Sequence, residues 1–311
     1  MKYKTLLTVA CLLMVPVSVA TVAEAAPAVA AHATAPLVLM TDFGLKDGAV
    51  SEMKGVSYGV SRDLLIADLT HEIPAGNIWE GAYRFYQSAQ YWPKGTVFVG
   101  VIDPGVGTAR RSIVAHTKAG HYYVVPDNGL LTLIDETEAV DAVRIINEKV
   151  NRLPGSEQSN TFHGRDVFGY TGARLASGRI TFEQVGPLMP VSQLVRLDYQ
   201  HPVKDGDSVK GMIPALDIQF GNIWTNIPQN LFTQFGFKPG DQVKFEIFHD
   251  GKLVDAVTAP FTRTFGDVPV GAPMVYINSL LNVSLALNQG NYAHDHNIGY
   301  GAGWSVRISR P

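Results

Sequence analysis

Residues 96–111 read TVFVGVIDPGVGTARR, an apolar run that stops at Asp103, turns over Pro104, Gly105 and Gly107, and meets Arg110 seven residues on. Asp before Pro-Gly is ordinary turn chemistry, and on that reading Arg110 simply points into water. The surrounding pattern bears on the choice. Upstream, PLVLMTDFG (36–44) is a second apolar run closing on an aspartate, Asp42, and DGAVSEMKGVSYGV (47–60) suits a helix after it. LLIADLTHEI (64–73) is a third such run, carrying Asp68 and His71, and after it Ile78, Ala82, Phe85 and Ala89 recur at the spacing of one helical face. Downstream come SIVAHT (112–117), HYYVVPDNG (121–129) with Asp127, and NGLLTLI leading into a short helix. Strands alternating with helices predict an α/β fold: a largely parallel sheet with helices on both faces. Ligands of open parallel sheets bind at the carboxyl ends of the strands. Asp42, Asp68, Asp103 and Asp127 are therefore expected along one edge, with Asp68 and Asp127 serving partly as turn or cap residues.

Near Leu194 the character changes. RLDYQHPVKDGDSVKG is polar and turn-rich, and short β-like runs follow it (GMIPALDI, QVKFEIFHD, KLVDAVTAPF, MVYINSLL, WSVRISRP). Regular punctuation by Gly, Pro and Asp predicts a mostly antiparallel, barrel-like β domain. The expected division is an N-terminal α/β domain over 36–195 and a C-terminal β domain over 204–311.

The first residues, MKYKTLLTVACLLMVPVSVATVAEAA, combine a basic start, an apolar run and a small-x-small exit at Ala23-Glu24-Ala25. This is the pattern of a cleaved secretory signal over 1–25, with 26–35 as a flexible leader, and it predicts a secreted or periplasmic protein. Lipidation at Cys11, the only cysteine, is a weaker alternative because a longer apolar segment should precede it. Cleavage leaves no thiol, and moves the net charge from −3 to −4 by removing two lysines and one glutamate. A mildly acidic chain without basic clusters lacks the footprint of a nucleic-acid binder. No later stretch has the roughly 20 apolar residues of a membrane span. Hydrophobic content of 46% with 17% charged residues describes a globular protein.

Three further stretches hold residues capable of chemistry. TFHGRDVF (161–168) sets His163, Arg165 and Asp166 around Gly164. DIQFGNIWTNI (217–227) places Asp217, Asn222 and Asn226 among apolar residues, where a polar side chain needs a partner; it reads either as a side-chain-capped turn or as an aromatic slot in which an amide reads a heterocycle. TRTFGD (262–267) and YINSLLN (276–282) repeat that texture more weakly. There is no phosphate-binding loop, nucleophile elbow or zinc helix of the familiar forms. A metal site from Asp42, Asp68, His71 and Asp103 has no local spacing to support it, so none is expected.

Taken in order, TDFG, DLTHEI, VIDPGVGTARR, PDNGLL, TFHGRD and FGNIWTN closely resemble the S-adenosylmethionine (SAM) hydroxide adenosyltransferases, relatives of the fluorinase and chlorinase. The resemblance spans Asp42 to about Asn291. It implies hydrolysis of SAM, as substrate and without a cofactor, to adenosine and methionine. It also implies a homotrimer with sites between one subunit's N-terminal domain and its neighbour's C-terminal domain. Asp103, Arg110 and His163 match the family's catalytic set; halogenating members carry an aromatic residue and a tyrosine in place of Asp103 and His163, so both polar residues favour water as nucleophile. Gly164 matches the chlorinase and hydroxide branches. Asp42 matches the ribose-diol ligand, Asp217 and less securely Asp47 the methionine-ammonium ligands, and Asn222 the adenine-reading amide. Phe220, Trp224 and Phe265 fall on its apolar walls, and Ser279 where the methionine carboxylate binds. The LLNVS run after Ser279 departs from the family pattern.

SAM is a sulfonium, so attack at C5′ expels a neutral thioether and the demanding step is making water nucleophilic. A carboxylate base, a cation and a histidine would meet that need, with Asp103 and His163 expected to share the proton. Two rivals stand beside this reading: a secreted binder of adenosine or SAM without turnover, and a metal-dependent phosphoesterase using the strand-end carboxylates. A SAM-dependent halogenase is a subclass alternative.

Overall fold

A computed structural model describes Met1 and residues 34–311; the expected signal peptide, Cys11 and most of the leader lie outside the described residues. From Leu37 the order is β1 (Leu37–Thr41), α1 (Ala49–Val60), β2 (Ile66–Thr70), α2 (Ile78–Ser88), β3 (Val97–Val101), β4 (Ser112–Thr117), β5 (Tyr122–Pro126), α3 (Thr132–Glu138), β6 (Val140–Ile145), α4 (Glu148–Asn151), a wide π-helical turn (Gly164–Gly169), α5 (Tyr170–Ala176) and β7 (Leu188–Met189). These strands form one sheet in the order β2-β1-β3-β5-β4-β6-β7.

The half that carries the expected aspartates is parallel: β1 pairs in parallel with β2 and β3, and β3 with β5. From β4 outward the pairing turns antiparallel. Only Lys118 to His121 separate β4 from β5, too short for a crossover, so the two close as a hairpin. β6 escaped the sequence reading because no turn signal precedes it: α3 ends at Glu138, its capping residue Ala139 is held at φ +56°, and the strand starts at once.

β1 shows how the sheet is buried on both faces. Val38 and Met40 face a core with Phe85 of α2 and Ile134 of α3, while Leu37 and Leu39 face another with Met53 of α1 and Ala173 of α5. Period-2 alternation of apolar residues into two cores leaves β1 no polar face.

The C-terminal part comprises β8 (Val203–Asp205), β9 (Ser208–Met212), β10 (Ala215–Asp217), β11 (Asn222–Pro228), α6 (Gln229–Thr233), β12 (Gln242–His249), β13 (Lys252–Pro260), β14 (Pro273–Ile277), β15 (Asn282–Leu287), α7 (Tyr292–Asp295) and β16 (Trp304–Ser309). They make two antiparallel sheets, β10-β11-β15-β14 and β13-β12-β16-β9-β8. Ile223, Val283, Leu285, Phe245, Ile247 and Ile308 belong to the core between them. Among the described residues these sheets are an open sandwich and do not close into a barrel. Trp79 of α2 donates its indole N–H to Pro214 O at 2.8 Å, and Tyr83 packs with Ala215 and Trp224, which fastens this part to the first sheet. No helix among the described residues is long and apolar enough to cross a membrane.

One buried ion pair stands apart from the aspartate edge. His121 Nδ1 lies 3.0 Å from Glu138 and Nε2 lies 3.1 Å from Trp92 O. A carbonyl only accepts, as does a carboxylate, so both ring nitrogens carry protons and the ring is an imidazolium. Burial alone would push His121 down, but the Glu138 bond and charge overcome it and raise its pKa. Burial likewise pushes Glu138 up, and the His121, Thr117 and Tyr123 bonds outweigh it and hold it low. A raised histidine stabilises fully below its unfolded value and loses that contribution as pH rises through the folded one. A lowered glutamate does so above its unfolded value and loses it on acidification. Starting from ordinary values of 6.5 and 4.5, the pair is at full strength between them. The excess stability of wild type over His121→Leu, read by denaturant unfolding, should peak between about pH 4.5 and 6.5 and narrow toward pH 9. Glu138→Leu should cost about 3–5 kcal/mol at pH 6.

Candidate active site

After β3 the chain folds back on itself. Val106 N donates to Asp103 O at 3.2 Å, Thr108 N to Gly105 O at 3.1 Å, and Gly107 adopts φ +76°. The turn returns Arg110 to Asp103: Nε donates to both carboxylate oxygens at 3.0 Å and Nη2 to Oδ2 at 2.5 Å. Arg110 does not point into water. Its side chain is 10% exposed and that of Asp103 5%, and the guanidinium carbon stands 5.0 Å over the Phe168 ring.

The same guanidinium reaches His163, with Nη2 3.0 Å from Nδ1. Arginine can only donate, so Nδ1 accepts and the ring proton sits on Nε2. Burial pushes His163 below the usual histidine range, and Arg110 and Arg152 add to it against Glu148 and Asp103; the ring is neutral at pH 7. His163 Nε2 is buried without a hydrogen-bond partner. The expectation that Asp103 and His163 share a proton is corrected here. Nδ1 is taken by Arg110 and Nε2 already holds its hydrogen, so His163 is arranged to donate rather than to accept.

Ser112 and Glu148 are part of the frame and were missed by the sequence reading. Arg110 Nη1 donates to Ser112 Oγ at 2.8 Å, Ser112 to Glu148 Oε1 at 3.2 Å, and Arg152 to Glu148 Oε2 at 3.2 Å. Arg-x-Ser at the head of a strand was a usable signal, since residues two apart share a face; Glu148, 36 residues further on, gave none. Asn128 was also missed. Its amide donates to Ile102 O at 2.8 Å, fixing the carbonyl just before Asp103.

The other strand-end carboxylates divide. Asp42 lies with this edge, accepting Gly76 N at 2.8 Å. Asp127 is structural, bound to Arg111 Nε at 2.8 Å and to Val195 N at 2.9 Å. Asp68 lies within β2 and pairs with Lys54 at 2.6 Å. Arg165 turns away from His163 toward Asp166 and Glu52. Asp47 is exposed and accepts Ala49 N at the head of α1.

A second group lies on the sheet β10-β11-β15-β14. Asn222 donates to Asp217 Oδ2 at 3.0 Å, leaving its Oδ1 buried and unpartnered. Trp224 is two residues on, on the same face, buried with Nε1 also unpartnered. Phe220 and Phe265 are 63% and 38% exposed, and Phe265 packs on Tyr276 at 5.1 Å. Ser279 is exposed on the β14–β15 turn. Since Ile223 pairs with Leu285 and Pro228 with Asn282, that turn lies at the opposite end of β11 from Asn222. Among the described residues no hydrogen bond or ion pair joins this group to Asp42, Asp103, Arg110 and His163.

Residues 37–186 match the SAM hydroxide adenosyltransferase N-terminal domain and residues 211–305 the C-terminal domain of that family. The chain is 34% identical to a protein of Thermus thermophilus named (R)-S-adenosyl-L-methionine hydrolase, covering 88% of this chain and 99% of that one. It is 29% identical to a fluorinase of an Actinoplanes species, over 88% and 97% of the two chains. A crystal structure of an uncharacterized conserved protein from Thermotoga maritima superposes with a TM-score of 0.81 at 32% identity, covering 88% of this chain and all of that one.

Gly164 has a steric role that can be tested without substrate. A Cβ there would lie 2.9 Å from Phe43 Cζ and 3.3 Å from Val101 Cγ1. Gly164→Ala should cost about 1–3 kcal/mol by overpacking. In a Phe43→Leu background the cost should shrink by about 1 kcal/mol through their coupling. Denaturant unfolding of the four proteins checks this; strictly additive costs would show that the ring is not what Gly164 accommodates.

Proposed function

The chain belongs to the SAM hydroxide adenosyltransferase family, and from that premise we propose that it hydrolyses SAM to adenosine and L-methionine, with Asp103, Arg110 and His163 acting on the water. The observation that carries this reading is the contact of all three side chains at the mouth of β3, with the buried Nε2–H of His163 unpartnered.

The water oxygen bonds to C5′ as the C5′–sulfonium bond breaks, its electron pair leaving on sulfur as the neutral thioether of methionine. One proton must leave the water. His163 Nε2–H, a fixed donor on the side of the ring away from Arg110, orients the attacking water through its oxygen, and the proton reaches Asp103, at an oxygen lone pair that Arg110 does not occupy, by way of a second water. Arg110 stabilises negative charge developing on the oxygen. Hydroxide and sulfonium attract more strongly out of bulk water, and three immobile groups lower the cost of alignment. Asp42 is assigned to the ribose diol, Asn222 and the rings of Phe220, Trp224 and Phe265 to adenine, and Asp217 with Asp47 to the methionine ammonium. Ser279 is assigned to its carboxylate.

The lack, among the described residues, of any hydrogen bond or ion pair between the two groups supports sites that join the first sheet of one subunit to the sandwich of its neighbour, and the family resemblance supports a homotrimer as that assembly. The N-terminal pattern supports export, so the protein would meet SAM, or a related adenosyl sulfonium, outside the cytoplasm.

Purified protein incubated with SAM should yield equimolar adenosine and methionine by chromatography, and no 5′-halo nucleoside with chloride or bromide added. Asp103→Ala and Arg110→Ala should each lower turnover by about 100- to 10,000-fold while SAM binding persists. Near-normal turnover by either variant would remove the assignment, and binding without products would favour the secreted binder.

A further inference from the structure

A second chain of polar contacts lies under the Asp42 loop, and no step of the proposed reaction uses it. Lys54 Nζ meets Asp68 Oδ2 at 2.6 Å, and Asp68 Oδ1 lies 3.1 Å from His71 Nε2, at ion-pair distance but without hydrogen-bond alignment. On the other side of the ring, His71 Nδ1 is 2.9 Å from Thr41 Oγ1. Thr41 Oγ1 accepts the Phe43 N–H at 3.2 Å, and His71 O accepts Gly44 N at 2.8 Å. His71 and Thr41 are 3% and 0% exposed.

The polarity of this chain follows from its ends. A carboxylate beside Nε2 favours the proton there, so Nδ1 accepts from the Thr41 hydroxyl, whose oxygen then accepts from Phe43. Asp, His and hydroxyl stand in the order of a nucleophile triad. Thr41 is nevertheless sealed from any substrate and its oxygen is already engaged, so a nucleophilic role is excluded. The β1–β2 register slips at this point, Leu39 pairing with Asp68 but Met40 with Thr70. Such a bulge re-aims the strand end.

We propose that Asp68, His71 and Thr41 are positioning residues that hold the Asp42–Phe43–Gly44 loop in its reactive shape. Phe43 N–H is tied to Thr41 and Gly44 N–H to His71. The loop carries Asp42, assigned to the ribose, and the Phe43 ring that packs against Gly164 beside His163. One relay thus sets both the hold on the sugar and the wall beside the histidine. The inference rests on the reading of the site given above, and it names no group that touches the reacting atoms.

Thr41→Val removes the hydroxyl with little change of shape, and Thr41→Ser restores it. In the first variant the Phe43 and Gly44 amides should exchange with deuterium about tenfold faster, the scale of one buried hydrogen bond, while protection across β3 stays at the wild-type level. KM for SAM should rise about tenfold and kcat fall less, and Thr41→Ser should recover both. His71→Asn, which can replace Nδ1 but not Nε2, should lie between wild type and Thr41→Val. Unchanged exchange at Phe43 and Gly44 in Thr41→Val, or equal losses in Thr41→Val and Thr41→Ser, would overturn the inference. If the wild-type protein fails to cleave SAM, the proposed reaction falls, and the exchange measurement still decides whether the relay holds the loop.

Discussion

Arg110 is the reference point of the site. Its guanidinium touches Asp103 through both carboxylate oxygens, His163 through Nδ1 and Ser112 through the hydroxyl. Asp103 and His163 lie sixty positions apart in the chain and acquire a fixed relation only through this cation. Burying a guanidinium is expensive unless its donors are met. In the proposed reaction that constraint works in favour of the chemistry, because the groups that satisfy Arg110 include the two assigned to the water. The contact also chooses the histidine tautomer. An imidazole forced to accept on Nδ1 must present Nε2–H on its other side, and no reorientation is needed when substrate arrives.

The sheet explains why two consecutive arginines serve different ends. β3 and β4 are separated by β5 in the sheet, so the turn after β3 must pass the end of β5 before β4 begins. Arg110 reaches back to Asp103 at the end of β3, and Arg111 takes Asp127 at the end of β5. Asp127 in turn holds Val195, where the chain leaves the first sheet. One short crossing therefore builds the Asp103–Arg110 cluster and anchors the exit toward the sandwich. The strong parallel half of the sheet supplies the edge, and the antiparallel return supplies the arginine.

Much of this was legible in the sequence because it was written in local pattern. Alternating runs such as PLVLMTDFG and TVFVGVID mark strands buried on both faces, and the terminal Asp42 and Asp103 mark the edge. The turn residues around Gly105 and Gly107 made a return of Arg110 conceivable but did not give its direction; that depends on a carboxylate behind the turn and a histidine from elsewhere. β6 and β15 were harder to see, the first because a positive-φ alanine replaces a turn signal, the second because Asn282 opens it inside an apolar run. The tautomer of His163 was not legible at all. It follows from a single contact between two side chains, and residue types alone allowed His163 to be a proton carrier. Likewise Asp68 read as one more strand-end carboxylate, whereas its place within β2 commits it to Lys54 and His71.

The two groups of candidate residues differ in how ready they are. Asp103 and His163 are buried in the single chain, desolvated and engaged before any ligand is present. Phe220 stands largely in solvent, Phe265 is partly covered by Tyr276, and Ser279 is exposed. Asp103 and His163 have therefore already met most of their desolvation cost during folding, as have Asn222 and Trp224, whereas Phe220 and Ser279 keep theirs until something covers them. In the proposed assembly a neighbouring subunit and the substrate would do so together. In that proposal apolar area drives closure over the sugar and base, whereas the charges assigned to C5′ are fixed beforehand. Loosening an aromatic wall should mainly alter how tightly substrate is held, and disturbing Arg110 should mainly alter what happens once it is there, because the first acts through area and the second through charge.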